Sequence, residues 1–300
     1  MLDKPKLLVS FSGGKTSGYM SLRLKREFSS EYNIKFVFAN TGLENEETLQ
    51  FVRRVDEDGQ LDVQWIECVV NPQHGKGVRY RPVTFETASR NGEPFEAFIA
   101  KSGVPNMNKP QCSDRLKALV IEDYKRSIGW LGCLHAIGIR KDEEQRRANA
   151  AVKVYNLAYP MLDWPTLVSD QDDVTAFWEE QSYGLNLEAH EGNCKTCWKK
   201  SDKKLWLLAL EHPERFEFMA RMERTYGRVK PNADGTPRVF FRRNRSVQDL
   251  LDEARAMDSR SLRKMIGAAS LDTESGCSES CEAYTDENLR APLIAWKEEA

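Results

Sequence analysis

Residues 6–11 read Lys-Leu-Leu-Val-Ser-Phe, a short apolar run that stops at a Ser/Gly turn. From residue 17 to 28 the apolar positions shift to helical spacing, with Tyr19, Met20, Leu22 and Leu24 on one side. Residues 34–39 make a second apolar run, 45–55 a second helical pattern and 63–70 a third strand-like run. This alternation predicts the α/β class, a doubly wound parallel sheet with right-handed crossovers. Between 71 and 111 Gly, Pro and Arg are frequent and neither period holds, which predicts a long insertion or substrate-facing loop rather than a sheet element. The pattern resumes with a helix over 113–126, a strand over 131–139 and a strand-like 154–159 ahead of Pro160. The α/β domain is therefore expected to span 1–165. A mainly helical C-terminal lobe follows over 166–300, with helices at 172–183, 203–226, 246–257 and 259–268.

Composition narrows the class. A chain of 300 residues with 40% hydrophobic and 30% charged side chains is that of an ordered globular protein. Its 44 basic and 46 acidic residues leave a formal charge of −2, so nothing global advertises a polyanion partner. No apolar stretch approaches the ~20 residues a membrane helix needs, and no apolar leader precedes the first strand, so a cytoplasmic protein is expected. Seven cysteines in a reducing compartment are read as thiols rather than staples. Cys68 and Cys133 lie in apolar runs and are expected in the core, which leaves Cys112, Cys194, Cys197, Cys277 and Cys281.

Ser12-Gly13-Gly14-Lys15-Thr16-Ser17 follows the first strand and opens the first helix. A Gly-rich turn there aims backbone N–H groups and the positive end of a helix dipole at one spot, which suits a phosphate. It is not a Walker A loop, because Val9 stands where that motif needs glycine, and G-x-G-x-x-G is absent. The stretch resembles the SGGxxS signature of PP-loop ATP pyrophosphatases. Further matches follow in order: Phe38-Ala39-Asn40-Thr41-Gly42-Leu43-Glu44 with Glu47-Thr48, Cys112-Ser113-Asp114-Arg115-Leu116-Lys117, Gly138-Ile139-Arg140-Lys141-Asp142-Glu143 with Arg146 and Arg147, and Tyr159-Pro160-Met161 with Asp163-Trp164. Together they resemble the phosphoadenylylsulfate (PAPS) reductase-like branch of that superfamily.

The resemblance implies ATP or a related adenine nucleotide as ligand. Ser10 and Ser12 to Ser17 would hold the phosphates with Lys15 supplying charge, and Ala39, Asn40 and Thr41 would lie by the adenine. Gly138, Arg140 and Arg146 would complete the nucleotide site, and Lys15, Lys117 and Arg140 would act on the reacting group, since Arg forks suit phosphate or sulfate. Two departures matter. Asn40 replaces the branch's usual Asp, and Thr16 replaces the Asp of SGGxDS, so any Mg²⁺ would draw its carboxylate from elsewhere, with Asp142 and Glu143 as candidates.

Cys194-x-x-Cys197 sets two thiolates on one tight turn, a clamp for a metal ion or one edge of an iron–sulfur cluster. With Cys112 upstream it resembles cluster-binding relatives, the iron–sulfur sulfonucleotide reductases and the DNA-phosphorothioation ATPases. That implies a [4Fe-4S] cluster, with Zn²⁺ as the alternative; Cys281 or Cys277 would be the fourth ligand, or the two form a redox or sulfur-carrying pair. The reductases' E-C-G-L-H ending is absent. Arg221, Arg224, Arg228, Lys230, Arg238, Arg242, Arg243 and Arg245, interleaved with Tyr226, Phe240 and Phe241, read either as a nucleic-acid track or as a solvated helix face and hairpin.

The leading expectation is an enzyme that adenylylates an acceptor, releasing pyrophosphate, for sulfur transfer. The acceptor is unidentified, nucleic acid being one candidate, and a sulfur donor or reductant protein is implied. The alternatives are a sulfonucleotide reductase and a non-catalytic nucleotide- or nucleic-acid-binding accessory protein.

Overall fold

A computed structural model of the chain describes residues 4–73, 75–188 and 190–268. Cys277 and Cys281 lie outside the described residues. The elements in chain order are β1 (Lys6–Ser10), α1 (Lys15–Phe28), β2 (Asn33–Asn40), α2 (Glu46–Gly59), β3 (Val63–Val70), β4 (Val78–Val83) and α3 (Glu93–Ser102). A π-helical turn (Asp114–Ala118) then leads into α4 (Leu119–Ser127). Next come β5 (Leu134–Ala136), α5 (Asn149–Tyr155), β6 (Leu157–Ala158), α6 (Pro160–Asp163) and α7 (Gln171–Glu179). The last helices are α8 (Asp202–Glu211), α9 (Glu217–Tyr226), α10 (Val247–Arg255) and α11 (Ser259–Ala268).

The six strands form one sheet in the order β4-β3-β2-β1-β5-β6, parallel throughout except for β4, which runs antiparallel to β3. Both faces are covered, so the strands read as apolar runs with alternate residues serving opposite layers. Leu8, Val37, Ala39, Ile66 and Cys68 pack with α3, α4 and α8 to α10. Leu7, Val9, Phe36, Phe38 and Trp65 pack with α1, α2 and α7 on the other side. Each fully buried Leu or Phe contributes roughly 1.5–3 kcal/mol of transfer free energy. Capping boxes at Asp170 and Ser246, each answered by an Asp three residues on, start α7 and α10.

Four expectations are corrected. Residues 71–111 hold a strand and a helix: β4 pairs six residues with β3, and Phe95, Phe98 and Ile99 of α3 enter the core. The expected helix over 203–226 is broken, because Pro213 has no N–H for the helical ladder; His212 leaves helical geometry and a 3₁₀ turn (Pro213–Phe216) intervenes. The strand expected at 154–159 shrinks to the two-residue β6, because Val154 and Tyr155 end α5 and Asn156 terminates that helix in a left-handed conformation. The strand expected over 131–139 shortens to Leu134–Ala136. Among the described residues no helix is long and apolar enough to cross a membrane.

Candidate functional site

Strand order reverses at β1, with β2 and β3 on one side and β5 and β6 on the other, so the crevice beyond the carboxyl ends of β1 and β5 is where such sheets place ligands. The Ser12–Ser17 loop leaves β1 into that crevice. Ser17 Oγ donates to the Gly14 carbonyl (3.0 Å), accepts from Ser12 N–H (3.1 Å) and pairs with Ser12 Oγ at 2.9 Å. Gly13 has φ +86°, and a Cβ there would stand 2.6 Å from Thr48 Cγ2, so glycine is required on both grounds. From behind, the Trp178 indole donates to the Lys15 carbonyl (2.9 Å) and Asn193 Nδ2 to the Ser12 carbonyl (3.1 Å). No side chain caps α1, and among the described residues Lys15 Nζ meets no hydrogen-bonding or charged partner. Thr48 Oγ1 and Asn193 Oδ1, both buried beside the loop, also have no partner there.

The segment after β5 closes the crevice. Gly138 passes so near α1 that a Cβ would lie 3.3 Å from Ser17 Cα. Arg140, 7% exposed, donates to Thr16 Oγ1 at 3.1 Å and forks onto Asp142 at 3.0 and 2.9 Å. That pairing holds the Asp142 carboxyl below its usual range despite burial, which pushes the other way. Arg146 pairs with Glu143 and Arg147 with Asp163. Asp142 and Glu143, the two magnesium candidates, are therefore both engaged by arginines. Ser10 is spent inside the sheet, its Oγ 2.8 Å from Nε2 of the fully buried His135, whose pKa burial drives well down.

The replacement at position 40 has a local cause. Asn40, fully buried, donates from Nδ2 to Glu67 Oε1 (2.6 Å) and the Ser89 carbonyl (2.9 Å). Glu67, also fully buried, further accepts from Arg81 (2.6 Å), Ser89 N–H (2.6 Å) and Ser89 Oγ (2.9 Å). An Asp at 40 would press a second carboxylate against Glu67. The side chain of Asn40 thus braces the end of β2. Thr41 turns the other way, its N–H and hydroxyl both bonding Glu44 (2.9 and 2.8 Å).

Glu44 stands behind a second candidate site, against its lining residues Thr41, Lys117 and Cys194. A narrow chamber is lined by Thr41, Leu43, Phe95, Cys112, Ser113, Lys117, Cys194, Thr196, Cys197, Trp198 and Met219. The three cysteines singled out in the sequence thus meet across about 80 residues of chain separation, carried by the π-helical start of α4 and by the knuckle before α8. The knuckle is stitched to the loop after β2: Asn45 N–H donates to Asn193 O (2.9 Å) and Lys195 N–H to Leu43 O (2.9 Å). Lys117, placed by its sequence match among the phosphate ligands, is found in this chamber, 7% exposed, with Nζ 4.0 Å from Glu44 Oε1. Cys194 Sγ lies 3.9 Å from the same oxygen. Trp198 is 1% exposed and its indole N–H has no hydrogen-bond partner among the described residues. Cys68 and Cys133 are core residues as expected, and burial raises both thiols, Cys68 to about 12.

Among the described residues, the one set of three His, Cys, Asp or Glu donors within 4.8 Å of one another is Glu188, His190 and Glu211. The three chamber sulfurs therefore spread wider than the ~3.8 Å spacing that tetrahedral zinc with Zn–S ~2.3 Å demands. At the acidic set, His190 Nε2 is 3.0 Å from Glu211 Oε2 but out of line for a hydrogen bond, and burial lowers its pKa. Arg263 already spans both carboxylates at 2.7 and 2.6 Å, supplying the positive charge from the chain itself.

The basic, aromatic stretch divides: Arg224, Arg228, Lys230 and Arg243 are exposed, while its later part is built into the fold. Phe240 and Phe241 are 0% and 2% exposed in the core. Arg238 reaches the Ser102 and Val104 carbonyls, Arg242 those of Lys199 and Lys200, and Arg245 pairs with Asp202 and Glu253. Arg221 and Tyr226 share Glu96. Sequence reasoning missed Glu44, Glu67 and Trp198; only the Glu44 in the match around Thr41 carried any signal.

Comparison with known proteins identifies the family. Over 285 residues, 92% of this chain and 94% of the relative, the sequence is 29% identical to the uncharacterized nin region protein ORF290 of Escherichia phage lambda. It is 27% identical over 176 residues to the uncharacterized protein MJ0066 of Methanocaldococcus jannaschii, covering 55% of this chain and 30% of that protein. A crystal structure of phosphoadenylyl-sulfate (PAPS) reductase from Candida auris, a phosphate complex, superposes with a TM-score of 0.37 at 16% identity, covering 61% of this chain and 75% of that one. Residues 6–177, more than half of the chain, match the phosphoadenosine phosphosulfate reductase domain. With its loop after β1 and its α/β sheet, the chain belongs to the phosphoadenosine phosphosulfate reductase domain family.

Proposed function

We propose that this chain binds ATP or a related adenine nucleotide at Ser12–Ser17 and activates an acceptor by adenylylation for sulfur transfer. The observation that carries the reading is the uncapped, glycine-dependent loop at the switch point of the sheet, with Lys15 unpaired among the described residues. The loop N–H groups and Lys15 would hold the phosphates, and Arg140, already fixed on Thr16, would face the α-phosphate. An acceptor oxygen attacks the α-phosphorus, the α–β bridge breaks and pyrophosphate leaves; a sulfur nucleophile from a donor then displaces AMP. The protein's share is positioning and charge stabilisation. A groove of about 810 Å³ shares Leu43 and Thr196 with the chamber and is flanked by Arg90, Lys195 and Arg224, which makes it the acceptor's approach.

The chamber's donor set, three thiols with Lys117 among apolar walls, fits a thiolate-ligated metal group, and the spread of the sulfurs favours [4Fe-4S] over zinc. Cys112, Cys194 and Cys197 would hold it, with Cys281 or Cys277 as the fourth ligand; when bound it would supply sulfur or electron chemistry beside the nucleotide. Family membership favours a second reading, a sulfonucleotide reductase. Calorimetry with ATP, pyrophosphate release from ATP and sulfite release from PAPS under a reductant separate them. Lys15→Ala should weaken ATP binding by about tenfold or more, the worth of a charge-assisted contact. No ATP binding by the intact chain at millimolar nucleotide would overturn the first reading.

A further inference from the structure

A buried N–H without an acceptor is destabilising and rare in folded proteins, so each one asks what it is waiting for. Trp198 supplies such a group: the ring is 1% exposed, it lines the chamber shared by Cys112, Cys194 and Cys197, and its Nε1–H meets no acceptor among the described residues. Indole is a donor only, so the deficit cannot be met by turning the group into an acceptor. The chamber also holds the hydroxyls of Thr41, Ser113 and Thr196 and the three cysteine sulfurs, and the indole makes a hydrogen bond to none of them. The side chain is also adjacent in sequence to Cys197, so it is held wherever that thiolate is held.

We infer that Trp198 is a positioning residue for the chamber's occupant, its indole N–H donating to a sulfur atom of the bound metal group. This rests on the reading of the chamber as a cluster site. A bare zinc ion would bring no acceptor of its own, whereas an iron–sulfur group brings bridging sulfides that accept N–H donors. Donation to sulfur stabilises the more negative, reduced form, so the hydrogen bond raises the group's reduction potential and protects its sulfur from oxidation.

The test uses the full chain, reconstituted anaerobically with iron and sulfide, as wild type, Trp198→Phe, Trp198→His and Cys194→Ser. Trp198→Phe is expected to take up iron and sulfide at a lower reduction potential and to bleach several-fold faster in air, with Trp198→His restoring part of both. In wild type labelled with ¹⁵N at the indole, electron–nuclear double resonance of the reduced group should show a nitrogen coupled to it, a readout that does not depend on a variant folding. Loaded iron with no such coupling, or a Trp198→Phe potential equal to wild type, overturns this inference alone. A wild type that takes up no iron, or a Cys194→Ser chain that keeps it, overturns the chamber reading and this inference with it.

Discussion

The Ser12–Ser17 loop and the cysteine chamber lie side by side yet are built in opposite ways. The loop is made by six consecutive residues wired to one another through Ser12, Gly14 and Ser17. The chamber is assembled from five separate stretches, and among the described residues the Trp198 indole N–H buried there makes no hydrogen bond. A site written in consecutive residues owes its geometry to local backbone rules. One gathered from afar owes it to the packing of the whole fold, and each should fail differently when disturbed.

The largest effect is expected at the chamber. Cys194→Ser removes one of three thiolates and should abolish metal binding, read as iron, sulfide and zinc per chain, while ATP binding persists; retained metal would break the assignment. Gly13→Ala should do the converse. A Cβ at φ +86° and 2.6 Å from Thr48 adds strain of about 1–2 kcal/mol and displaces the loop, weakening ATP by about tenfold or more in calorimetry with metal content unchanged. Between the sites stands β2: Asn40→Asp sets a carboxylate against Glu67 and should cost roughly 3 kcal/mol in urea unfolding, part of it recovered in Asn40→Asp/Glu67→Gln.

The smallest effect concerns the chamber's outer wall. Met219 of α9 lines the chamber, and Glu223, one turn on, fastens that helix by accepting from the N–H groups of Phe240 and Val247 at 2.9 Å each. Burial raises the Glu223 carboxyl to about 7 from 4.5. Between those values the folded chain holds a proton that the unfolded chain has released, so this group's stabilisation is complete below about 4.5 and lost as pH rises through 7. The loss is about 2–3 kcal/mol. Urea midpoints at pH 5 and pH 8 should show a smaller drop in Glu223→Gln than in wild type; equal drops would detach α9 from this account.

Much of the frame is legible because period and burial coincide: β1 to β3 and α1 to α2 repeat the alternation that their two-sided packing demands. Where a strand is exposed the signal fades. In β4, Arg79, Arg81 and Pro82 face solvent on an edge, so Val78 alone is buried and no alternation survives. The chamber's cysteines could be named from spacing and resemblance, but not Lys117's place among them, nor the burial of Trp198, because both depend on how α4 and the Cys194–Cys197 turn pack together on one face of the sheet. Arg242 and Arg245 mislead for a related reason: clustered charge reads as a surface until carbonyls and carboxylates from 199–202 and 253 are brought against it.

The antiparallel β4 has one more consequence. An open sheet invites a neighbouring molecule to add a strand, and the two margins of this sheet are β4 and β6. β6 is two residues long, too short to template a ladder, and β4 presents two guanidinium groups and a proline that has no hydrogen to donate. The same residues that hide β4 from a hydrophobicity pattern thereby make that edge a poor template for another strand.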